Sequence, residues 1–308
     1  MKIQFYGVRG SYPVPGKETT RFGGNTTCVT FTKEVQGQIA RIIFDCGTGA
    51  IQLGKDILKN YFAGKESLYL NMFFTHLHPD HTQAFPFFAP NYFPDCRLEL
   101  LGMRTLKKHI GKILEQEMLP PTFPIEYKDL KSLRIHHEIR DGAIVYVSSE
   151  LSDKGTLCLL VDTEKQENSI FKVEAMQAFA PSHPQQGAVY YRVTDLDNGR
   201  SAACIWDIES HYGGDRRVIK FAKNVDIMIH DTQYTEEEYQ ADDIIVQGFG
   251  HSTYHMAVEN AKQANAGKLI CTHFNPAHND AKLDKIQIQM AQDSYPVVLA
   301  KEGLEVEV

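Results

Sequence analysis

The chain has 308 residues, 43% of them hydrophobic, which is enough to bury a large core in one α/β domain or two smaller ones. A formal net charge of −7 gives no global attraction to a polyanion, so long nucleic acid is disfavoured as a partner unless a local basic patch exists. Small anions stay open, because bound cations reverse a local field.

Strands are predicted at about Lys2–Val8, Cys28–Lys33 and Arg41–Cys46, followed by a helix from near Ala50. The opening alternation, Met1-Lys2-Ile3-Gln4-Phe5-Tyr6, lacks the apolar stretch of a signal peptide. Strand Ser67–Thr75 runs into a helix starting at Pro79, where proline is tolerated in the first turn. Strand Arg97–Leu101 comes next. A helix over Thr105–Met118, spaced by Leu106, Ile110, Ile113 and Leu114, is stopped by Pro120-Pro121. Leu133–Ile205 reads mostly as strands, among them Thr156–Val161, Phe171–Phe179, Ala188–Val193 and Ala202–Trp206. The last third alternates: strand Val225–Ile229, helix Thr253–Ala264, strand Lys268–Thr272, helix Asp280–Gln292 and strand Val297–Ala300. No linker or low-complexity tract divides the chain, so residues 1–308 are expected to form a single domain. Two half-chains, each with sheet and helices, suit four layers: two sheets packed together with helices outside. No run approaches the about eighteen apolar residues of a membrane span, and the six cysteines contain no C-x-x-C pair; a cytoplasmic protein without a membrane partner is expected.

The densest chemistry lies in Thr75-His76-Leu77-His78-Pro79-Asp80-His81, where a strand gives way to a helix. Alternate side chains on an extended backbone point the same way, so His76 and His78 can face one metal. Pro79 then turns the chain and swings Asp80 and His81 to a neighbouring point. Imidazole and carboxylate suit zinc, and also manganese or iron. The plainer reading is a polar helix start, for which Asp80 in the first turn would serve. Asp207, Asp231 and His273 each stand at the downstream end of an apolar strand, and His183 lies in a loop between two of them. Strand ends are where α/β architectures assemble sites, although any one such residue alone reads as a cap.

Taken in order, Gly7-Val8-Arg9-Gly10-Ser11, Arg21 to Thr26, Ile43-Phe44-Asp45-Cys46-Gly47-Thr48-Gly49, His76-x-His78-x-Asp80-His81, His183, Asp207, Ile229 to Tyr234, Gly250-His251-Ser252-Thr253 and Thr272-His273-Phe274 resemble the metallo-β-lactamase superfamily. Within it they are similar to the branch of cyclic phosphodiesterases of phosphonate metabolism and tRNA 3′-processing endonucleases. The resemblance implies a four-layer αββα sandwich of metallo-β-lactamase type holding two divalent metal ions. It implies that His76, His78 and His183 bind one metal, that Asp80, His81 and His273 bind the other, and that Asp207 bridges them. A metal-bridging hydroxide would attack phosphorus. Asp80, His251 and Asp231 make up the catalytic set, His251 assisting the leaving group and Asp231 holding its tautomer.

The expected activity is hydrolysis of a small phosphodiester, such as a cyclic nucleotide or ribose phosphate. Thioester or lactam cleavage, tRNA 3′ processing and a non-catalytic metal-binding protein are the alternatives. A basic arm is missing and Phe274-Asn275-Pro276 replaces the serine-rich continuation of the tRNA-processing relatives, which lowers tRNA as a substrate. The stretch 148–174 is expected to hold an added hairpin that shapes the entrance or serves a homodimer. Gly47-x-Gly49 lacks the third glycine of a dinucleotide loop, Gln52 standing in its place, and reads as a tight turn. Phe85, Phe87, Phe88, Tyr92 and Phe93 read as core or subunit contact, or else as a stacking wall for a base. His109, His136, His137, His211, His255 and His278 read as structural or surface residues.

Overall fold

The computed structural model describes residues 1–104, 108–121, 123–178, 187–292 and 294–308. Strands β1 (Lys2–Gly7), β2 (Cys28–Val35) and β3 (Gln38–Phe44) pair antiparallel in sequence. Helix α1 (Ala50–Phe62) returns the chain to β4 (Tyr69–Phe73), which lies parallel to β3. After the four-residue α2 (Pro79–Thr82), the parallel run continues through β5 (Arg97–Met103), α3 (Ile110–Glu117) and β6 (Leu133–Ile139). The second half begins with antiparallel pairings among β7 (Ile144–Leu151), β8 (Leu157–Asp162), β9 (Ser169–Ala178), β10 (Ala188–Asp195) and β11 (Ser201–Ile205). Through α4 (Arg216–Phe221), β12 (Ile227–Asp231), α5 (Glu236–Tyr239), α6 (Tyr254–Gln263), β13 (Lys268–Thr272), α7 (Asp280–Met290) and β14 (Val297–Leu299), the strands run parallel to β11. A last strand, β15 (Glu305–Glu307), pairs with β1.

Two mixed sheets result, ordered β15-β1-β2-β3-β4-β5-β6 and β14-β13-β12-β11-β10-β9-β7-β8. Their inner faces share one apolar core, in which the Phe44 ring lies 5.4 Å from Phe73, 5.3 Å from Tyr191 and 6.4 Å from Trp206. A separate cluster seals α1 and α3 onto the first sheet through Leu53, Ile57, Ile110 and Leu114. Helices α6 and α7 pack on the second. The expected α/β architecture of four layers is therefore present.

Differences from the sequence reading are local. The helix expected over Thr105–Met118 spans Ile110–Glu117; Thr105, Leu106 and Lys107 lie outside the described residues. Helices α4 and α5 are too short to show a 3.6-residue period, and β15 has only three residues, so the sequence pattern does not mark them. The strand expected over Thr156–Val161 is β8, Leu157–Asp162, the outer arm of a hairpin at one end of the second sheet, with Leu151 opposite Leu157. Among the described residues no helix is long and apolar enough to cross a membrane.

Candidate metal centre

Parallel strands end at a common edge, and the loops that leave them carry the polar residues. Asp45 follows β3; His76 and His78 lie between β4 and α2; Asp80 and His81 are in α2. From the other sheet, Asp207 stands just past β11, Asp231 ends β12, His273 follows β13, and His251 precedes α6. Four of the seven non-glycine residues with positive φ among the described residues sit at this edge: Ser11 (62°), Asp45 (60°), Asp207 (53°) and His273 (62°). Left-handed backbone costs about 1–3 kcal/mol per residue and persists where the surroundings enforce it. Here Asp45, Asp207 and His273 reach His81, His76 and Asp80 with their side chains, while Ser11 meets Asp80 through its N–H.

The two half-chains meet at Asp207. Its Oδ1 lies 3.7 Å from His76 Nε2, while its Oδ2 lies 3.1 Å from His81 Nε2 and 3.4 Å from His273 Nε2. Asp80 Oδ2 approaches the same two imidazoles, at 3.2 Å from His81 and 3.3 Å from His273. The rings of His76 and His78 stand edge to face with centroids 4.5 Å apart, as alternate residues on extended backbone should. Two groups whose ligand atoms lie within 4.8 Å of one another thus share Asp207: Asp80, His81, Asp207 and His273, and His76, His78 and Asp207. His183, expected to complete the second, lies outside the described residues.

This donor set fits divalent cations. Buried carboxylates of Asp80 and Asp207 face imidazole nitrogens, and the Nε2 atoms of His81 and His273 stand only 3.3 Å apart. Without a cation, protons must supply the balancing charge. Burial works against charge on His81 and His273, but the neighbouring carboxylates outweigh it, raising His81 well above the ordinary imidazole range and His273 to about 9. His76 goes the other way, lowered chiefly by burial. A bound cation would take the place of those protons, since a ligating imidazole is neutral.

A third group within the same distance limit joins Asp207 and His273 to His251 and Asp231. His251 Nδ1 lies 2.7 Å from Asp231 Oδ2, and its ring stacks on His273 with centroids 5.0 Å apart. Asp231 also accepts the N–H groups of Ile208 at 3.3 Å and Gln233 at 3.1 Å.

Asp45 belongs to the Ile43 to Gly49 motif, which by itself assigns it no role. Its Oδ2 is 2.8 Å from His81 Nδ1 and accepts the Thr75 hydroxyl at 2.8 Å, while Oδ1 accepts the Thr75 N–H at 2.8 Å. It thereby fixes which His81 nitrogen faces the cluster. Like Asp207, Asp45 stands just past an apolar strand, and that position is its mark in the sequence. Ser11 N–H, donating to Asp80 Oδ2 at 2.8 Å, carried no such signal. Gly10 is needed for close approach, because a Cβ there would fall 2.4 Å from the His273 ring. Gly47 is likewise a close approach, its would-be Cβ lying 2.3 Å from the Asp80 carbonyl oxygen. Of the aromatic run, Phe85 and Phe88 are fully buried in the cluster beneath α1, whereas Phe87 is 56% exposed. His136, His137 and His278 are held by Tyr127, Glu99 and Glu238 respectively.

No model of a known protein family matches the chain. It is 25% identical over 299 residues to ribonuclease Z of Thermoplasma acidophilum, an overlap covering 92% of this chain and 89% of that protein. It is 28% identical over 261 residues to ribonuclease Z of Brevibacillus brevis, covering 77% and 76%. The metallo-β-lactamase fold protein YhfI from Bacillus subtilis superposes with a TM-score of 0.61 at 19% identity, over 100% of this chain and 98% of its own. Human tRNase Z, short form, gives 0.61 at 22% identity over 100% and 99%. A diphosphatase from the PhnP family gives 0.61 at 15% identity over 100% and 97%.

Proposed function

We propose that this chain, which has the metallo-β-lactamase fold and relatives named ribonuclease Z along most of its length, is a two-metal hydrolase that cleaves phosphodiesters in small, nucleotide-sized substrates. The observation that carries the reading is Asp207, a single carboxylate with one oxygen toward His76 and the other toward His81 and His273. In this reading His76, His78 and His183 would hold one cation, Asp80, His81 and His273 would hold the other, and Asp207 would serve both. Zinc suits the imidazole-rich set; manganese and iron are compatible. Two bound cations would acidify water and neutralise charge developing on phosphorus. The protein's own part is proton delivery. With Nδ1–H of His251 committed to Asp231, the imidazolium form gives its second proton, on Nε2, to the departing alkoxide and is left as the neutral Nδ1–H ring, help typically worth about 10²–10⁴-fold.

Charge supports a small substrate. From Asn224 to Ala261 there is no lysine or arginine, and Glu236, Glu237, Glu238, Asp242 and Asp243 fall in that same stretch, which supplies Asp231 and His251. A long RNA passing this flank would be repelled. The second reading, tRNA 3′ processing, is favoured by the names of the sequence relatives. Metal analysis combined with a panel of 2′,3′-cyclic, 3′,5′-cyclic and 1,2-cyclic phosphates, bis(p-nitrophenyl) phosphate and a precursor tRNA separates them. About two ions per chain and turnover of a small diester are expected. More efficient cleavage of the precursor tRNA would replace this reading with the second, and two ions with no phosphodiester turnover would point to another hydrolysis.

A further inference from the structure

We infer that Glu209 is a positioning residue for the leaving-group step, holding the loop that presents His251 at a set distance from Asp207. The inference rests on the reading of His251 as proton donor. Glu209 lies two residues past Asp207 and is half-buried. Its Oε1 accepts the Tyr239 hydroxyl at 2.7 Å and the Gly248 N–H at 2.8 Å, and its Oε2 accepts the Gly250 N–H at 3.0 Å. Gly250 immediately precedes His251. Positive φ at Gly248 (88°) and Gly250 (87°) lets both N–H groups turn onto the same carboxylate, a backbone state that side-chain-bearing residues resist.

Besides Glu209, the loop is fastened to α5 by Gln247, whose Nε2 donates to the Tyr239 carbonyl at 2.9 Å. Ile244, Ile245 and Phe249 are 67%, 69% and 56% exposed, and Val246 is the buried hydrophobic residue between them. On the far side of Glu209, the strand-end segment is already fastened to the His251 neighbourhood. The Ser252 hydroxyl donates to the Ile208 carbonyl at 2.6 Å, and the Ile208 N–H donates to Asp231. Glu209 thus ties the remaining side of the loop to the segment carrying Asp207. Three donors converge on it, and an ionised carboxylate, acceptor-only, can take them all. Glutamine would turn an NH₂ group toward one of these donors.

The consequence is specific to the bond being broken. An alkoxide leaving group needs a proton, whereas p-nitrophenolate departs without one, so displacing His251 should slow only the first kind of substrate. The test compares metal-loaded wild type, Glu209→Gln, His251→Ala and the double variant on bis(p-nitrophenyl) phosphate and on whichever cyclic nucleotide the panel shows to be turned over. Glu209→Gln is expected to lower kcat on the cyclic nucleotide about 10–100-fold, with KM and bis(p-nitrophenyl) phosphate turnover within about 3-fold of wild type. Metal content should be unchanged, and the double variant should be no slower than His251→Ala alone. Tyr239→Phe, which removes one donor and spares the carboxylate, should give a smaller loss in the same direction and guards against misfolding of the glutamine variant. Equal losses on both substrates, or loss of metal, with the leaving-group split intact in His251→Ala, would overturn the role of Glu209. Absence of that split in His251→Ala itself would overturn both this inference and the reading beneath it.

Discussion

His251 and Asp45 occupy matching posts, each 2.7 to 2.8 Å from the partner that orients it or that it orients. Their removal should have opposite signatures. His251→Ala is expected to reduce turnover of alkoxide-leaving substrates about 10²–10⁴-fold while metal content, read by elemental analysis, stays at the wild-type value. Joint loss of metal and activity would make His251 a ligand, which its place beside Asp207 and His273 also permits geometrically. Asp45→Asn keeps the shape but removes the charge from His81. Metal affinity of the Asp80, His81 and His273 group should fall about 10–100-fold in chelator competition; an unchanged affinity would leave Asp45 a purely structural turn residue. The candidate ligands are legible in the sequence because four of them crowd into His76 to His81. Asp45 is not, because only folding sets it against a histidine thirty-six positions away.

Short α5 shows what a local element contributes. Thr235 and Glu238 form a reciprocal capping box at its start, and both Glu238 oxygens also accept from His278 Nε2, at 2.8 and 2.9 Å. This bond ties the segment leaving β12 to the one leaving β13, which bear Asp231 and His273. Burial works against the Glu238 carboxylate, but His278 and the Thr235 N–H outweigh it and hold its pKa at about 2, below the ordinary 4.5. A depressed carboxylate contributes stability that is complete above its unfolded pKa and disappears as pH falls through the folded one, so the window runs from about 4.5 down to about 2. With its partial exposure discounted, the stability gap between wild type and Glu238→Gln should narrow by about 1 kcal/mol between pH 5.5 and 3 in urea unfolding. A gap independent of pH would show that packing, not charge, is what Glu238 supplies.

The sandwich is held by one core between its sheets and by a polar seam at its edge, and these are separable. Phe44, on β3, touches Phe73 of its own sheet and Tyr191 and Trp206 beside the other. Phe44→Ala should cost about 3–5 kcal/mol in equilibrium unfolding. At the seam, the His76 to His81 segment belongs to the first sheet's half of the chain, and Asp207 and His273 to the second. Cations bound there would clamp the halves, so removing them with a chelator should lower Tm, and adding them back in excess should restore it by mass action. A Tm indifferent to chelation in protein shown to carry metal would mean the seam is rigid without them.

Residue order alone determined the alternation of strands and helices and the polar residues at strand ends, because hydrophobic period and strand-end chemistry are local properties. It also carried the crowded histidine motif. Tertiary structure alone decided which strand ends share an edge, how one carboxylate divides its oxygens between two groups, and that Glu209 and Asp45 stand behind the visible residues. Those relations join positions far apart in the chain, and their distances come into being only when the two sheets close on each other.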